Sequence, residues 1–226
     1  FGGQFIKLFK EHPQVDRIAL CDLNTHLLNY CAREFRIDET YHSLEEILRT
    51  DIEAIAIMTQ PELHASQAIK ALKAGKHVYS AVPMASSLEE CDELINIVKR
   101  TGQIYMMGET TYFRPETIFC RKKAKEGAFG EFVYCEGEYM HDTIFGALGQ
   151  RIAQSRYGIE WEKHTYYCIP FVYPTHSICG PVSITGAHMT EVSAMGYTYP
   201  NENWIKKYMY PDRDWPLKEG ERSEFC

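Results

Sequence analysis

The opening segment Phe1-Gly-Gly-Gln-Phe-Ile6 and Asp22 have the residue types and the spacing of a dinucleotide site. Glycines at the start of a helix let a pyrophosphate approach the free N–H groups of its first turn. Asp22 ends the next predicted strand 20 residues after Gly2, where a dinucleotide fold binds the adenosine ribose. A carboxylate there favours NAD over NADP, since no Arg follows to hold a 2′-phosphate. The alternative for Asp22 is an ordinary turn or helix-cap residue.

Helices and strands alternate around this candidate site. Predicted helices cover residues 4–12, 25–35, 61–74 and 87–101, with one more after a capping box of Ser43 and Glu46, and predicted strands cover residues 17–21, 52–58, 76–80 and 103–107. Strands separated by helices of this length indicate a parallel sheet with helices on both faces. The first half of the chain is therefore predicted to be a Rossmann-type α/β domain over residues 1–112.

The pattern changes near residue 112. A helix is predicted to about Glu126, period-two alternation predicts a strand over Glu131–Tyr139, and a short helix over Pro174–Ile184 precedes a strand over His188–Tyr197. Such alternation is typical of antiparallel strands with one solvated face. We therefore predict a second, α+β domain with a largely antiparallel sheet over residues 113–226, which binds substrate.

Composition narrows the classes of protein. The 226 residues are 45% hydrophobic and 24% charged, as in globular domains, and the net charge of −7 offers no basic face to nucleic acid. No apolar stretch approaches the roughly 18 residues of a membrane span. The eight cysteines are irregularly spaced without zinc-site spacing, so no metal is predicted and free thiols in a reducing compartment are expected. We expect a cytoplasmic protein, with export left open because the sequence begins at Phe1.

Two segments resemble a known family, namely Thr59-Gln-Pro-Glu-Leu-His64 and Ala71-Leu-Lys-Ala-Gly-Lys-His-Val-Tyr-Ser-Ala-Val-Pro-Met-Ala85. They are similar to the T-P-x-x-x-H and A-L-x-A-G-K-H-V-x-x-E-K-P motifs of the Gfo/Idh/MocA family of NAD(P)-dependent sugar oxidoreductases. The resemblance implies a carbohydrate substrate and a cofactor that is held by Thr59, Pro61, His64 and Pro83. A core-facing position is the alternative for His64. Family proteins begin with a further strand and end with further strands, so a chain truncated at both ends is expected.

Val82 departs from the family pattern. It stands where the family usually has the lysine that assists proton transfer at the substrate hydroxyl, and valine can neither donate nor accept a proton. Val172 likewise stands where many family dehydrogenases have an aspartate, four residues before the active-site histidine, here His176. Residues that usually take part in ordinary dehydrogenase catalysis in this family are therefore replaced in this chain.

The segment Tyr173-Pro-Thr-His176 resembles the NAD-dependent glycosidases of the same superfamily. Those enzymes oxidise the sugar at C3, which acidifies the C2 proton, eliminate the aglycone, add water and reduce the ketone again. The resemblance implies that Tyr173 and His176 are acid/base catalysts, as suits a phenol and an imidazole. A helix-capping or packed histidine is the alternative for His176.

The resemblance also makes Tyr139 a catalytic candidate and His141 a substrate ligand. Both residues lie on the same side of an extended chain; the alternative is a rim aromatic beside a hydrogen-bonded histidine. Lys163, which follows Trp161, is a further candidate for contact with substrate.

The predicted function is oxidation of a hydroxyl of a sugar with NAD, either as a dehydrogenase or within a redox-neutral glycoside hydrolysis. A non-catalytic sugar or NAD sensor is the alternative, which the missing lysine would permit. Tyr139, Tyr173 and His176 together argue against a sensor, since it has little need for several titratable groups. A homo-oligomer is left open.

Overall fold

The computed structural model describes residues 2–139 and 174–195 of the chain. The chain divides into two compact units, Phe1–Gly108 and Glu109–Cys226. The domain boundary predicted after residue 112 lies four residues beyond the division after Gly108.

Helices alternate with short strands in the first unit. Its helices are α1 (Gly2–Glu11), α2 (Thr25–Phe35), α3 (Leu44–Leu48), α4 (His64–Lys73) and α5 (Leu88–Thr101), and its strands are β1 (Leu20–Cys21), β2 (Thr40–Tyr41), β3 (Ala54–Ile57), β4 (His77–Ser80) and β5 (Tyr105–Met107). All pairings are parallel: β1 pairs with β2, and β4 lies between β3 and β5. This is the Rossmann-like layering that the alternation predicts.

The core of the first unit lies where α4 and α5 cover the sheet. Ala65, Ala68, Ile69 and Leu72 recur on α4 at the helical period, and all four are buried. They join the buried side chains of the strands and of α5, which include Ile55, Ile57, Val78, Leu94 and Ile97. Burial of this apolar stripe anchors the carboxyl ends of β3 and β4, from which the site residues follow.

Polar caps decide where several helices begin. The Ser43 hydroxyl accepts a hydrogen bond from the Glu46 N–H at 3.2 Å, as the predicted capping box requires. The return contact differs from the prediction, because the Glu46 carboxylate accepts from the His42 N–H at 2.9 Å rather than from Ser43.

The Gly75-Lys-His77 segment, part of the family resemblance, joins α4 to β4. Gly75 has φ 78°, a left-handed conformation that glycine adopts without steric cost. The buried Lys76 ammonium donates to the Thr50 carbonyl at 2.6 Å, and His77 Nδ1 accepts from the Ile104 N–H at 3.0 Å. These side chains therefore connect neighbouring strands and turns of the fold.

The second unit begins with a 3₁₀ turn (Thr110–Phe113) and α6 (Pro115–Lys125), and its later described part contains α7 (Thr175–Thr185). The helix predicted over Pro174–Ile184 is present, shifted by one residue. Residues 131–139 and 188–195 form no strand with any other described residue. Partners for the predicted antiparallel sheet would come from residues outside the described ranges, so that sheet stays a prediction.

Candidate functional site

Gly2 is the first residue of α1, where free N–H groups point out of the helix. A Cβ at Gly2 would lie 3.1 Å from Met58 Cβ, at the end of β3. The missing side chain therefore lets the start of α1 approach the sheet closely, as the helix start of a dinucleotide site requires.

Asp22 directly follows β1 and is half-buried. Its N–H donates to the Tyr41 carbonyl at 3.2 Å, and its Oδ1 accepts from the Asn24 N–H at 2.7 Å. Asn24 in turn caps α2. Asp22 is therefore a turn residue, which is the alternative interpretation of its place in the sequence. A carboxylate has two oxygens, so a role in the turn is compatible with binding a ribose diol.

His64 connects the other predicted cofactor residues. Its ring is 1% exposed, Nδ1 lies 2.8 Å from the Pro83 carbonyl, and Nε2 lies 3.1 Å from the Thr59 carbonyl. His64 is therefore core-facing, and it ties the loop after β3 to the loop after β4. Thr59 and Pro61 precede it, with Pro61 opening a 3₁₀ turn.

Val82 is buried between Ala81 and Pro83, at 7% exposure. This environment suits an apolar side chain, so valine at this position is compatible with the local packing of the loop.

His176 lies in the first turn of α7, where Nδ1 is 2.6 Å from Glu109 Oε1. The two side chains are 8% and 5% exposed. Glu109 Oε1 also accepts from the Thr111 N–H at 2.8 Å, so the 3₁₀ turn holds the carboxylate in place. The structure therefore assigns His176 a buried carboxylate partner within the second unit.

Glu109 was not among the residues selected from the sequence. Burial by itself would raise its pKa, but the hydrogen bonds from His176 and from the Thr111 N–H outweigh burial and hold the pKa below its usual value. The signal that would have found it is its place two residues after β5, since side chains at the carboxyl ends of parallel strands commonly serve sites.

Tyr139 lies against His176. Their ring centroids are 4.5 Å apart with an interplanar angle of 51°. One side of the imidazole is thus covered by a phenol and its Nδ1 edge by a carboxylate. Glu109 Oε2 and Thr175 Oγ1 are also buried and have no partner of normal hydrogen-bond geometry among the described residues, although Thr175 contributes to the lowered pKa of Glu109.

Cys179 lies near this cluster, one turn after His176 on α7. Burial raises the pKa of its thiol, and the negative charge of Glu109 raises it further. Cys179 is therefore a poor nucleophile beside the histidine, because the thiolate is the reactive form of cysteine.

Three of the predicted residues, Tyr173, His141 and Lys163, lie outside the described residues. Within the described ranges, no group of three or more His, Cys, Asp or Glu side chains could hold a metal ion. In the same part of the chain, no helix combines the length and the apolar character needed to cross a membrane.

The chain is similar to known oxidoreductases and to known glycoside hydrolases. Residues 1–109 match the family described as "Oxidoreductase family, NAD-binding Rossmann fold". A glycosyl hydrolase family 109 protein of Shewanella sp. (strain W3-18-1) is 26% identical over 192 residues, which are 80% of this chain and 41% of that protein. The alpha-N-acetylgalactosaminidase of Shewanella oneidensis is 32% identical over 142 residues, covering 62% of this chain and 30% of the relative. The chain thus spans less than half the length of these relatives.

Solved structures agree with this fold. The scyllo-inositol dehydrogenase of Lactobacillus casei with bound NAD(H) and scyllo-inositol has a TM-score of 0.72 at 20% identity, over 90% of this chain and 58% of that chain. The myo-inositol 2-dehydrogenase of Lactobacillus plantarum has a TM-score of 0.68 at 21% identity, over 82% and 53%. Together with the parallel sheet, these structures show that residues 1–109, which match the Gfo/Idh/MocA oxidoreductase family, have its NAD-binding Rossmann fold.

Proposed function

We propose that the protein acts on a hydroxyl of a sugar with NAD as cofactor, and that it uses this chemistry to hydrolyse glycosides without net oxidation. The observation that carries the proposal is the buried cluster of Glu109, His176 and Tyr139 in the second unit. A carboxylate and a phenol that both contact an imidazole can serve together as an acid/base device.

The curated relatives support the choice of glycoside hydrolysis. The match that covers 80% of this chain extends beyond residue 109 into the second unit, and that relative is named as a glycosyl hydrolase. The second relative is named as an alpha-N-acetylgalactosaminidase. An N-acetylated galactoside is therefore the first substrate to test.

The first unit has features that fit NAD. The close approach of Gly2 to Met58 leaves the start of α1 without side-chain bulk, and Asp22 lies at the end of β1. We propose that Gly2 faces the pyrophosphate, that Asp22 binds the ribose, and that Thr59, Pro61 and Pro83 bound the rest of the cofactor, with His64 holding their loops together. When bound, NAD would supply the acceptor and donor of hydride.

In this proposal, the residues that transfer protons belong to the second unit. Val82 has no ionisable group, so it cannot accept the hydroxyl proton. His176 is the proposed general base at the sugar hydroxyl, and Tyr139 and Tyr173 are the further acid/base groups. His141 and Lys163 are proposed to bind the sugar.

Free thiols support the proposal of a cytoplasmic protein. The cysteines in the described ranges are unpaired, namely Cys21, Cys31, Cys91, Cys120, Cys135 and Cys179. Reduced cysteines are typical of reducing compartments.

A two-arm assay tests the function. The complete protein is incubated with 4-nitrophenyl N-acetyl-α-galactosaminide and other nitrophenyl glycosides at catalytic NAD, and separately with free sugars at excess NAD. Release of nitrophenol without net NADH is the expected result. NADH from free sugars alone would contradict hydrolysis and indicate a dehydrogenase, whereas binding of sugar or NAD with neither product would indicate a sensor.

Replacing Asp22 by alanine is expected to weaken NAD binding by about 1–3 kcal/mol, the scale for losing a hydrogen bond to a charged group. Isothermal titration of the complete protein with NAD and with NADP measures this, and the ratio of the two affinities should shift towards NADP. Asp38→Ala is the matched control, because Asp38 is an exposed carboxylate of the same unit. Unchanged NAD affinity in Asp22→Ala would remove the ribose assignment.

A further inference from the structure

We infer that Glu109 is the positioning residue of His176: its carboxylate holds the imidazole proton on Nδ1 and makes Nε2 the nitrogen that exchanges protons with substrate. This inference rests on the proposed function for its consequence in catalysis. The state of the imidazole itself does not depend on that function.

The hydrogen bonds around Glu109 decide which atom donates. Glu109 Oε1 accepts from the Thr111 N–H at 2.8 Å and lies 2.6 Å from His176 Nδ1. An ionised carboxylate can only accept, so the proton in the second contact belongs to Nδ1. The lowered pKa of Glu109 agrees with an ionised carboxylate at neutral pH.

Burial makes this contact effective. Glu109 is 4% exposed, so water does not compete well for its oxygens. With Nδ1 committed, a neutral His176 has its lone pair on Nε2 and can take a proton there. A charged His176 can return the same proton from Nε2.

Tyr139 restrains the ring from a second direction. Its ring packs 4.5 Å from the imidazole, and the neighbouring Gly137 lies against the Ser177 carbonyl of α7 so closely that a Cβ there would overlap it. The segment that carries Tyr139 therefore docks on the first turn of α7. Two contacts, one polar and one aromatic, hold the orientation of His176.

Glu109 supplies a carboxylate that the segment directly before His176 lacks. The family pattern has a carboxylate four residues before the histidine, but this chain has Val172. Glu109 reaches His176 from 67 positions earlier in the sequence. The carboxylate partner of the histidine is therefore supplied by the turn after β5 instead of by the segment before α7.

Glu109→Gln tests the inference because it keeps the size of the side chain and removes its charge. The amide can accept from Nδ1 or donate to it, so the imidazole is no longer held in one tautomer. In the complete protein, we expect kcat on the nitrophenyl glycoside to fall about 10²-fold or more, with KM changed less than about threefold. Glu109→Asp retains a carboxylate and should restore part of kcat.

Nitrogen-15 NMR of histidine-labelled protein reads the tautomer directly, with the His176 signals identified by their loss in His176→Asn. The wild type should show a protonated Nδ1 in the neutral ring, and Glu109→Gln should show a mixture. Glu126→Gln is the matched control, because Glu126 pairs with Lys123 on the surface of the same unit. It should change neither the tautomer nor kcat.

The outcomes separate this inference from the proposed function. The wild type could show no turnover on any sugar while Nδ1 is protonated and this tautomer is lost in Glu109→Gln. That result would contradict the proposed function and leave the positioning role of Glu109 intact. An unchanged tautomer in Glu109→Gln, or a kcat equal to that of the wild type despite a changed tautomer, would overturn the inference. If Glu109→Gln fails to fold by circular dichroism, Glu109→Met, which also removes the charge at similar side-chain size, carries both measurements, and a wild-type tautomer and kcat in that variant would equally overturn the inference.

Discussion

Replacing His176 by alanine in the complete protein is expected to lower turnover about 10²-fold or more, the usual contribution of a positioned acid/base group. The loss should appear in kcat for the nitrophenyl glycoside, because His176 is proposed to move the proton rather than to hold the sugar. His188→Ala is the matched control, since His188 is an exposed histidine of the same unit. A turnover in His176→Ala within a few-fold of the wild type, with both substrates, would remove the histidine from the mechanism.

The Val82→Lys variant tests whether the protein uses the lysine-assisted route of ordinary dehydrogenases. If the protein used the ordinary lysine-assisted route, this variant should gain dehydrogenase activity and His176→Ala should be mild. We expect no gain in dehydrogenase activity, because Val82 is 7% exposed and a cation buried at this position would lack a charged partner. NADH production from free sugars by Val82→Lys above the wild-type level would favour the lysine route.

Leu72→Ala is expected to destabilise the first unit by about 2–5 kcal/mol, the range for removing a large aliphatic side chain from a packed core. Leu72 lies on α4, is 0% exposed, and packs against buried side chains of the strands and of α5. Denaturant-dependent hydrogen exchange with mass spectrometry measures the opening free energy of peptides from β3, β4 and β5. This reads the first unit by itself, which matters because two units need not unfold in one transition.

The matched control is Leu88→Ala on α5. Leu88 is 79% exposed at the first position of its helix, so its truncation should change the opening free energy by less than about 0.5 kcal/mol. Equal effects of the two substitutions would show that the core of the first unit is not centred on α4 and α5.

Local rules predicted the helices of the first unit well. Ser87 precedes α5, accepts from the Glu90 N–H at 3.2 Å, and Gly102 ends the helix at φ 69°. Both features involve residues within a few positions of each other. Their geometry follows from backbone dihedrals and short-range hydrogen bonds, which sequence spacing specifies.

The site was predictable only in part. His176 and Tyr139 were selected by residue type and resemblance, and the structure brings them within ring contact. Glu109 was missed because nothing in the spacing of a lone glutamate distinguishes it from a solvated one. His64 was left between two alternatives, and its burial with both ring nitrogens near backbone carbonyls makes it a link between loops.

The sequence by itself determined the alternation of helices and strands and the parallel class of the sheet, and it predicts the glycine and acidic positions of a dinucleotide site. These depend on periodicity and on contacts along a few residues of chain. The tertiary structure alone decided that Glu109 meets His176 and that His64 joins Thr59 to Pro83. Such pairs form only when the chain path brings distant segments together, and burial then makes their hydrogen bonds strong enough to orient a side chain.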